Sequence, residues 1–382
     1  MADAEDDYTA PKTLGHVLVT GGCGFLGHHI VSLLLSRGAA TQISVLDLSV
    51  TRNRFPDVSY HAGDITSYES TKSLFATLKP DVVIHTASPL FNANAPALMY
   101  KVNVEGTRTI VKAAQETGVK ALVYTSSASV VSDTKSDLVC ADEDAPRVVG
   151  DQQPEYYTTT KALAEIHVLS ANRTPSTFLT AAIRPSALYG PGDVQLLPPM
   201  LTALKKRQTA FQIGPNDNLF DFTYIVNAAY AHILAASALL ATADREAAGY
   251  SMPLDFERVD GEAFFITNDA PVYFWDFARM VWRAAGDSTR PSDVWVLPQG
   301  FALLLASIVE WVFWMFRLGK PNLTRQQVRY SCMARWFSVE KAKRRLGYRP
   351  VVGLEEGIQR AVKDLTEKER DREGEEGRKK VL

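Results

Sequence analysis

Cysteine is scarce in this chain. Cys23, Cys140 and Cys332 are odd in number, far apart and outside any metal-ligand spacing, so neither a disulfide framework nor a metal site is expected and a reducing, cytosol-facing setting fits. No sign of charge dominates: 41 Lys and Arg stand against 43 Asp and Glu, which removes the basic field that holds a nucleic-acid backbone. The opening MADAEDDYTAPKT lacks the basic start and apolar segment of a secretory signal, and the expectation is an N-terminus on the cytosolic side. There is no internal repeat. The composition of the 382 residues, 46% hydrophobic and 22% charged, is that of a globular chain long enough for one large core or two packed domains.

What is present is an alternation of strands and helices. HVLVTGGCGFLGHHIVSLLLSRG reads as strand, glycine turn and helix, with Leu26, Ile30, Leu33 and Leu34 at helical spacing. Further apolar runs predict strands at Ile43–Asp47, Asp81–Ala87, Ala121–Ser126 and Thr180–Pro185, separated in the later part by helical ALMYKVNVEGTRTIVKAAQETG and YYTTTKALAEIHVLSA. That order predicts an α/β fold with a doubly wound parallel sheet. From about Tyr189 the pattern breaks into the loop-like YGPGDVQLLPPM, then short strands such as Phe264–Thr267 mixed with helices. The expected division is a disordered acidic N-terminus (1–13), a nucleotide-binding domain (14–188), a smaller C-terminal substrate lobe (189–365) and a charged tail (366–382).

Gly21, Gly24 and Gly27 stand three apart, directly after a strand and opening a helix. Gly21 permits the tight turn, Gly24 lets backbone N–H groups approach a pyrophosphate, and Gly27 allows the helix to pack closely on the strand, with the helix N-terminus facing the anion. Asp47 ends the second strand twenty positions after Gly27, where a carboxylate accepts hydrogen bonds from the adenosine ribose hydroxyls and repels a 2′-phosphate. NAD is therefore expected, although Arg52 and Arg54 nearby offer charge for a phosphate. Asp64 is either an adenine contact or a turn residue. His85 reads as a packed strand residue.

Tyr157 stands four residues before Lys161, which places phenol and ammonium on one helical face. A free tyrosine, with a pKa of about 10, is a poor base at neutral pH, and a neighbouring lysine charge favours its phenolate. Tyr157 then takes a proton from an alcohol. Strand alternation sets Thr125 and Ser127 of YTSSAS on one face and Ser126 on the other, and Ser127 is the hydroxyl expected to support charge on the reacting oxygen. The catalytic set is Tyr157, Lys161 and Ser127. The cofactor set is Gly21, Gly24, Phe25, Leu26, Gly27, Asp47, Asp64, Ile65, Ala87, Tyr157, Lys161 and Pro185.

The ordered motifs TGGCGFLG, HTASP, YTSSAS, YYTTTK and RPSALYGPGD resemble an extended short-chain dehydrogenase/reductase with its Rossmann sheet. NLFDFTYIVNAAYAHILAA, GEAFFITNDAPVYFWDFARMVWRAAG and LTRQQVRYSCMARWFSVEKAKRRLGYRP are similar to the 3β-hydroxysteroid dehydrogenase family, and within it to the branch that oxidises and decarboxylates 4α-carboxysterols. Gly22 and Cys23 inside the loop depart from the pattern without disturbing its spacing. The resemblance implies NAD-dependent oxidation of a 3β-hydroxyl to the 3-ketone with loss of CO2. Oxidation without decarboxylation, with or without double-bond isomerisation, uses the same residues. A nucleotide-sugar epimerase shares the fold but takes polar substrates, and a dinucleotide-sensing scaffold would need no tuned phenol. The resemblance also implies a sterol as partner, a membrane surface on the cytosolic face of the endoplasmic reticulum with the lipid droplet as second location, other sterol C4-demethylation enzymes as neighbours, and a homodimer as the oligomer to test.

One run remains. FALLLASIVEWVFWMF, Phe301 to Phe316, is shorter than the ~20 apolar residues of a spanning helix and contains Glu310. On a helix Phe301, Leu304, Leu305, Ile308, Val312 and Met315 form one apolar stripe. The expectation is a membrane-surface helix at 300–317; a core helix of the substrate lobe is the alternative.

Overall fold

The computed structural model describes residues 13–90, 95–319, 321 and 323–381, with side chains up to residue 371. The expected acidic segment 1–13 lies, apart from Thr13, outside the described residues. Seven strands form the central sheet: β1 (His16–Thr20), β2 (Gln42–Asp47), β3 (Ser59–Ala62), β4 (Val82–His85), β5 (Ala121–Thr125), β6 (Leu179–Pro185) and β7 (Glu262–Ile266). Their spatial order is β7-β6-β5-β4-β1-β2-β3. β1 lies parallel to β2 and β4, and the pairs β2–β3 and β4–β5 are parallel as well. Helices Phe25–Ser36, Tyr68–Leu78, Thr107–Thr117 and Tyr156–Ser170 fill the crossovers, which is why β1, β4 and β5 are buried along their whole length and read as mostly apolar runs. The strand order reverses between β1 and β4, the switch point at which open α/β sheets bind ligands.

Two local features differ from the sequence pattern. Phe264–Ile266 of the Phe264–Thr267 run, read with the later segment, belong to the edge strand β7 of the main sheet, a long-range pairing that periodicity cannot report. The helical run before Gly118 contains a π-helical stretch, Lys101–Gly106, ahead of the Thr107–Thr117 helix. His85 is a packed strand residue, as expected: its ring nitrogens lie 2.6 Å from Thr20 Oγ1 and 3.0 Å from Thr107 Oγ1.

The chain sorts into two compact units that interleave in sequence, 1–125 with 164–182 and 229–262, and 126–163 with 183–228 and 263–382. In the first, Arg173 donates Nε to Asp260 at 2.7 Å and its two terminal nitrogens to Glu246 at 2.8 and 3.1 Å. This fork ties three chain segments, the bidentate geometry at which arginine excels. In the second, Asn227 is buried and doubly used: its amide donates to Asn268 Oδ1 and the Val352 carbonyl, and its oxygen accepts from Val351 and Val352. A buried amide used this fully avoids the cost of an unmade bond.

The second unit also holds the apolar run as a helix, Gln299–Met315. Its inner face is small, Ala302 and Ala306 packing with Val328 and against Ile213, Leu297, Leu303 and Leu323. Its outer face carries Phe301, Leu304, Leu305, Ile308, Trp311 and Trp314, all exposed, the last at 77%. Glu310 leaves the apolar face by accepting the Arg325 backbone N–H at 2.8 Å and Nε at 2.6 Å. Among the described residues a different helix, Ile225–Ala247, is long and apolar enough to cross a membrane, yet 61% of that stretch is buried inside the protein, the pattern of a core helix.

Asp221 is fully buried and accepts the Phe337 N–H at 2.8 Å. Burial pushes its carboxyl up to about 7, against the pull of that hydrogen bond. An unfolded aspartate titrates at about 3.9, so the folded state holds its proton over a range where the unfolded chain releases it. Stability contributed here is full below about pH 4 and falls as pH rises to about 7. Asp221→Asn keeps the acceptor for Phe337. We expect it to melt above the parent at about pH 8 and level with it at about pH 4 in scanning calorimetry; equal melting at both pH values would contradict the assignment.

Candidate active site

The first unit builds the glycine turn. Gly21, at φ +75°, passes so close to the chain after β4 that a β-carbon would stand 2.8 Å from the Ala87 backbone. At Gly27 a β-carbon would stand 2.2 Å from the Gly21 carbonyl oxygen. The Gly24 N–H donates to that same carbonyl at 3.0 Å, and Gly24 precedes the Phe25–Ser36 helix without a side-chain cap. An anion of the ligand can therefore take the place of a cap at this helix start. The Asp47 carboxylate reaches the turn from the end of β2, where Oδ2 accepts the Cys23 N–H at 3.0 Å. Asn53 donates to the Cys23 carbonyl at 2.9 Å, closing the loop from the other side. Cys23 is 1% exposed and burial, reinforced by Asp47, pushes its thiol up, so it fills the turn as an apolar group.

The other expected cofactor residues are placed as follows. Leu26 and Ile65 are buried, and Phe25, half-buried, meets the His29 ring edge-on at 5.9 Å. Ala87 is half-buried directly after β4. Asp64 is exposed and accepts the Thr66 N–H at 2.8 Å; that bond holds its carboxyl below the usual range. It forms an Asx turn in the structure, a geometry compatible with either of the two roles open to it. Arg54 lies over the Tyr60 ring at 4.8 Å, and Arg52 is exposed. The tight glycine backbone, the uncapped helix start and Asp47 fit the pyrophosphate and ribose of a dinucleotide.

The second unit builds the hydroxyl site. The Tyr156–Ser170 helix leaves Tyr156 43% exposed, holds Tyr157 half-buried and withdraws Lys161 to 2% exposure. Of the two tyrosines, then, it is Tyr157 that turns inward on the lysine's face. Thr125 and Ser126 are buried, Thr125 Oγ1 2.8 Å from His232 Nε2 within the first unit and the Ser126 N–H donating to Ile183 at 2.7 Å within the second. Ser127 is half-buried instead. Its Oγ accepts the Ser129 N–H at 3.2 Å, starting a short 3-10 turn at Ala128–Val131, and lies 2.8 Å from Ser129 Oγ. Pro185, at the end of β6, is buried.

Sequence reasoning missed what supports Ser127. Thr158 Oγ1 lies 3.1 Å from Ser129 Oγ and 3.0 Å from Glu155 Oε2. Glu155 Oε1 in turn accepts Tyr330 OH at 2.8 Å and the Gln326 amide, both from the Arg325–Cys332 helix. Burial pushes the Tyr330 phenol up and the Glu155 carboxylate adds to it, so Tyr330 serves as a donor. Thr158 beside Tyr157 was a readable hint; a partner 175 residues away was not.

Comparison with known proteins adds identity to this geometry. Residues 18–299 match the model of the 3-beta hydroxysteroid dehydrogenase/isomerase family. The chain is 42% identical to the sterol-4-alpha-carboxylate 3-dehydrogenase, decarboxylating, of Schizosaccharomyces pombe, covering 91% of this chain and 97% of that one. It is 40% identical to the protein of that name in Saccharomyces cerevisiae, over 91% and 96%. Among solved structures, UDP-glucose 4-epimerase from Thermotoga maritima superposes with a TM-score of 0.66 at 19% identity, over 92% of this chain and 99% of that one, a likeness of fold. The chain belongs to the 3-beta hydroxysteroid dehydrogenase/isomerase family.

Proposed function

We propose that the protein oxidises the 3β-hydroxyl of a 4α-carboxysterol with NAD and releases the 4-carboxylate as carbon dioxide. The observation that carries this reading is the near-full-length similarity to two relatives named for that reaction. Residues 14–188 are taken as the nucleotide-binding segment and 189–365 as the substrate-binding one. NAD, when bound, accepts the hydride leaving C3. Gly21, Gly24 and Gly27 would leave room for its pyrophosphate, Asp47 would hold the adenosine ribose, and Phe25, Leu26, Asp64, Ile65, Ala87 and Pro185 would line it.

Tyr157 removes the hydroxyl proton as hydride departs. Lys161, one turn away and withdrawn from water, is a positive charge that favours the phenolate and so lowers the cost of making the base. The product is a β-keto acid. Its C4–carboxylate bond breaks with the electron pair flowing into the new ketone, whose oxygen takes the charge. Tyr157, now carrying the proton it removed, and Ser127 donate hydrogen bonds to that oxygen, so one set of groups serves both steps.

The same reading seats the Gln299–Met315 helix on the cytosolic surface of the endoplasmic reticulum membrane, where a sterol dissolves. Support comes from its exposed apolar face, with Trp311 and Trp314 suited to headgroup depth. Each large apolar side chain moved out of water contributes about 1.5–3 kcal/mol, so a few such residues hold a protein at a surface.

Three outcomes are expected. Tyr157→Phe lowers NADH formation on a 4α-carboxysterol by ~10²- to 10⁴-fold while NAD affinity by calorimetry stays near the parent's; a variant that keeps more than about a tenth of the parent rate would show that another group is the base. Asp47→Ala narrows the ratio of kcat/KM for NAD over NADP, whereas a parent that uses both equally would remove the ribose role from Asp47. Replacing Leu304, Leu305 and Ile308 together with Asp leaves a folded, NAD-binding protein that no longer sediments with sterol-containing liposomes. Unfolding of that variant, or a parent that never sediments, would return the helix to the core reading.

A further inference from the structure

Resting on the function just proposed, we infer that Thr158 is a positioning residue. Through Ser129 it points the Ser127 proton at the reacting oxygen, and Glu155, held by the Arg325–Cys332 helix, competes for the Thr158 proton. The inference follows from counting protons and lone pairs along the chain of hydroxyls. A serine hydroxyl has one proton and two lone pairs. One lone pair of Ser127 is taken by the Ser129 N–H at 3.2 Å, and the 2.8 Å contact with Ser129 Oγ can run either way. When Ser129 donates, both lone pairs of Ser127 are filled and its proton faces outward. When Ser127 donates, its proton is turned inward and the site loses a donor.

Thr158 decides between these states. It too has one proton, with Ser129 Oγ at 3.1 Å and Glu155 Oε2 at 3.0 Å as acceptors. Given to Ser129, that proton takes one of the serine's two lone pairs and closes the Thr158 side to the serine's own proton, which then goes to Ser127 at 2.8 Å. Drawn to the carboxylate, it leaves Ser129 free to accept from Ser127. A carboxylate is the stronger acceptor, but Glu155 Oε1 already receives Tyr330 OH at 2.8 Å and the Gln326 amide. Those two donors weaken its claim on Thr158. They sit on the same short helix as Arg325, which grips Glu310 of the exposed apolar helix. Thr158 is fully buried and Ser129 is 7% exposed, so bulk water is poorly placed to replace a missing link.

The test is kcat and KM, with melting temperatures alongside, for Thr158→Val, Thr158→Ser, Ser127→Ala and the Ser127→Ala/Thr158→Val double variant on NAD and a 4α-carboxysterol. Losing one neutral hydrogen bond predicts a fall in kcat of about tenfold for Thr158→Val with KM within about twofold. Thr158→Ser keeps the hydroxyl and stays within about threefold of the parent. The double variant is no slower than Ser127→Ala. A packing role predicts the reverse order, since valine fills the threonine's space and serine leaves a gap. If Thr158→Val fails to fold, Ser129→Ala breaks the same link and is expected to show the same fall. The inference is overturned by an active parent whose Thr158→Val rate lies within about twofold, or by additive losses in the double variant. A parent that forms no NADH overturns the functional reading, and this inference with it.

Discussion

No side chain fits at Gly27, where a β-carbon would stand 2.2 Å from the Gly21 carbonyl, and the first unit is arranged around that contact. It brings the start of the Phe25–Ser36 helix against the end of β1, the strand flanked by β2 and β4. Two consequences follow. Asp47, ending β2, reaches the turn through the Cys23 N–H, and the chain after β4 passes within van der Waals range of Gly21. A substitution at Gly27 would thus disturb a helix, three strands and a carboxylate together.

The second unit obeys a different constraint, the satisfaction of polar groups taken from water. Asn227 is spent on four hydrogen bonds, Glu155 accepts from three side chains, and Asp221 meets the cost of burial by holding its proton to about pH 7. The Gln299–Met315 helix does the opposite on its outer face, where large apolar groups stay in water while its alanines pack inward. Contiguous apolar side chains left in water are a feature of interaction surfaces. The proposed sterol chemistry supplies an apolar neighbour, because substrate and docking surface would share the same lipid phase.

Much of this was legible in the sequence, for physical reasons. Strands β1, β4 and β5 are covered on both faces, so their runs are mostly apolar, and three glycines at fixed spacing mark a turn that tolerates no Cβ. That Tyr157 and Lys161 share one helical face was readable because four residues make about one helical turn. The apolar stripe was readable as a stripe, but periodicity is the same whether it meets protein or lipid. Asp64 left two readings, and its bond to Thr66 makes a turn without deciding the adenine contact. What could not be read were pairings across long stretches of chain: Glu155 with Tyr330, β7 beside β6, and the burial of Asp221 under Phe337. Single-residue polarity also misleads there, since Glu155 and Asp221 look like ordinary surface acids.

The central claim couples two bond changes, loss of hydride from C3 and loss of the carboxylate from C4. It is tested most directly by measuring labelled carbon dioxide and NADH together from a carboxyl-labelled 4α-carboxysterol incubated with purified protein and NAD. The account predicts the two in equal amounts from the first turnovers, with a 3-ketone lighter by the carboxyl group as the sterol product. NADH accumulating without labelled carbon dioxide, or neither forming, would contradict it.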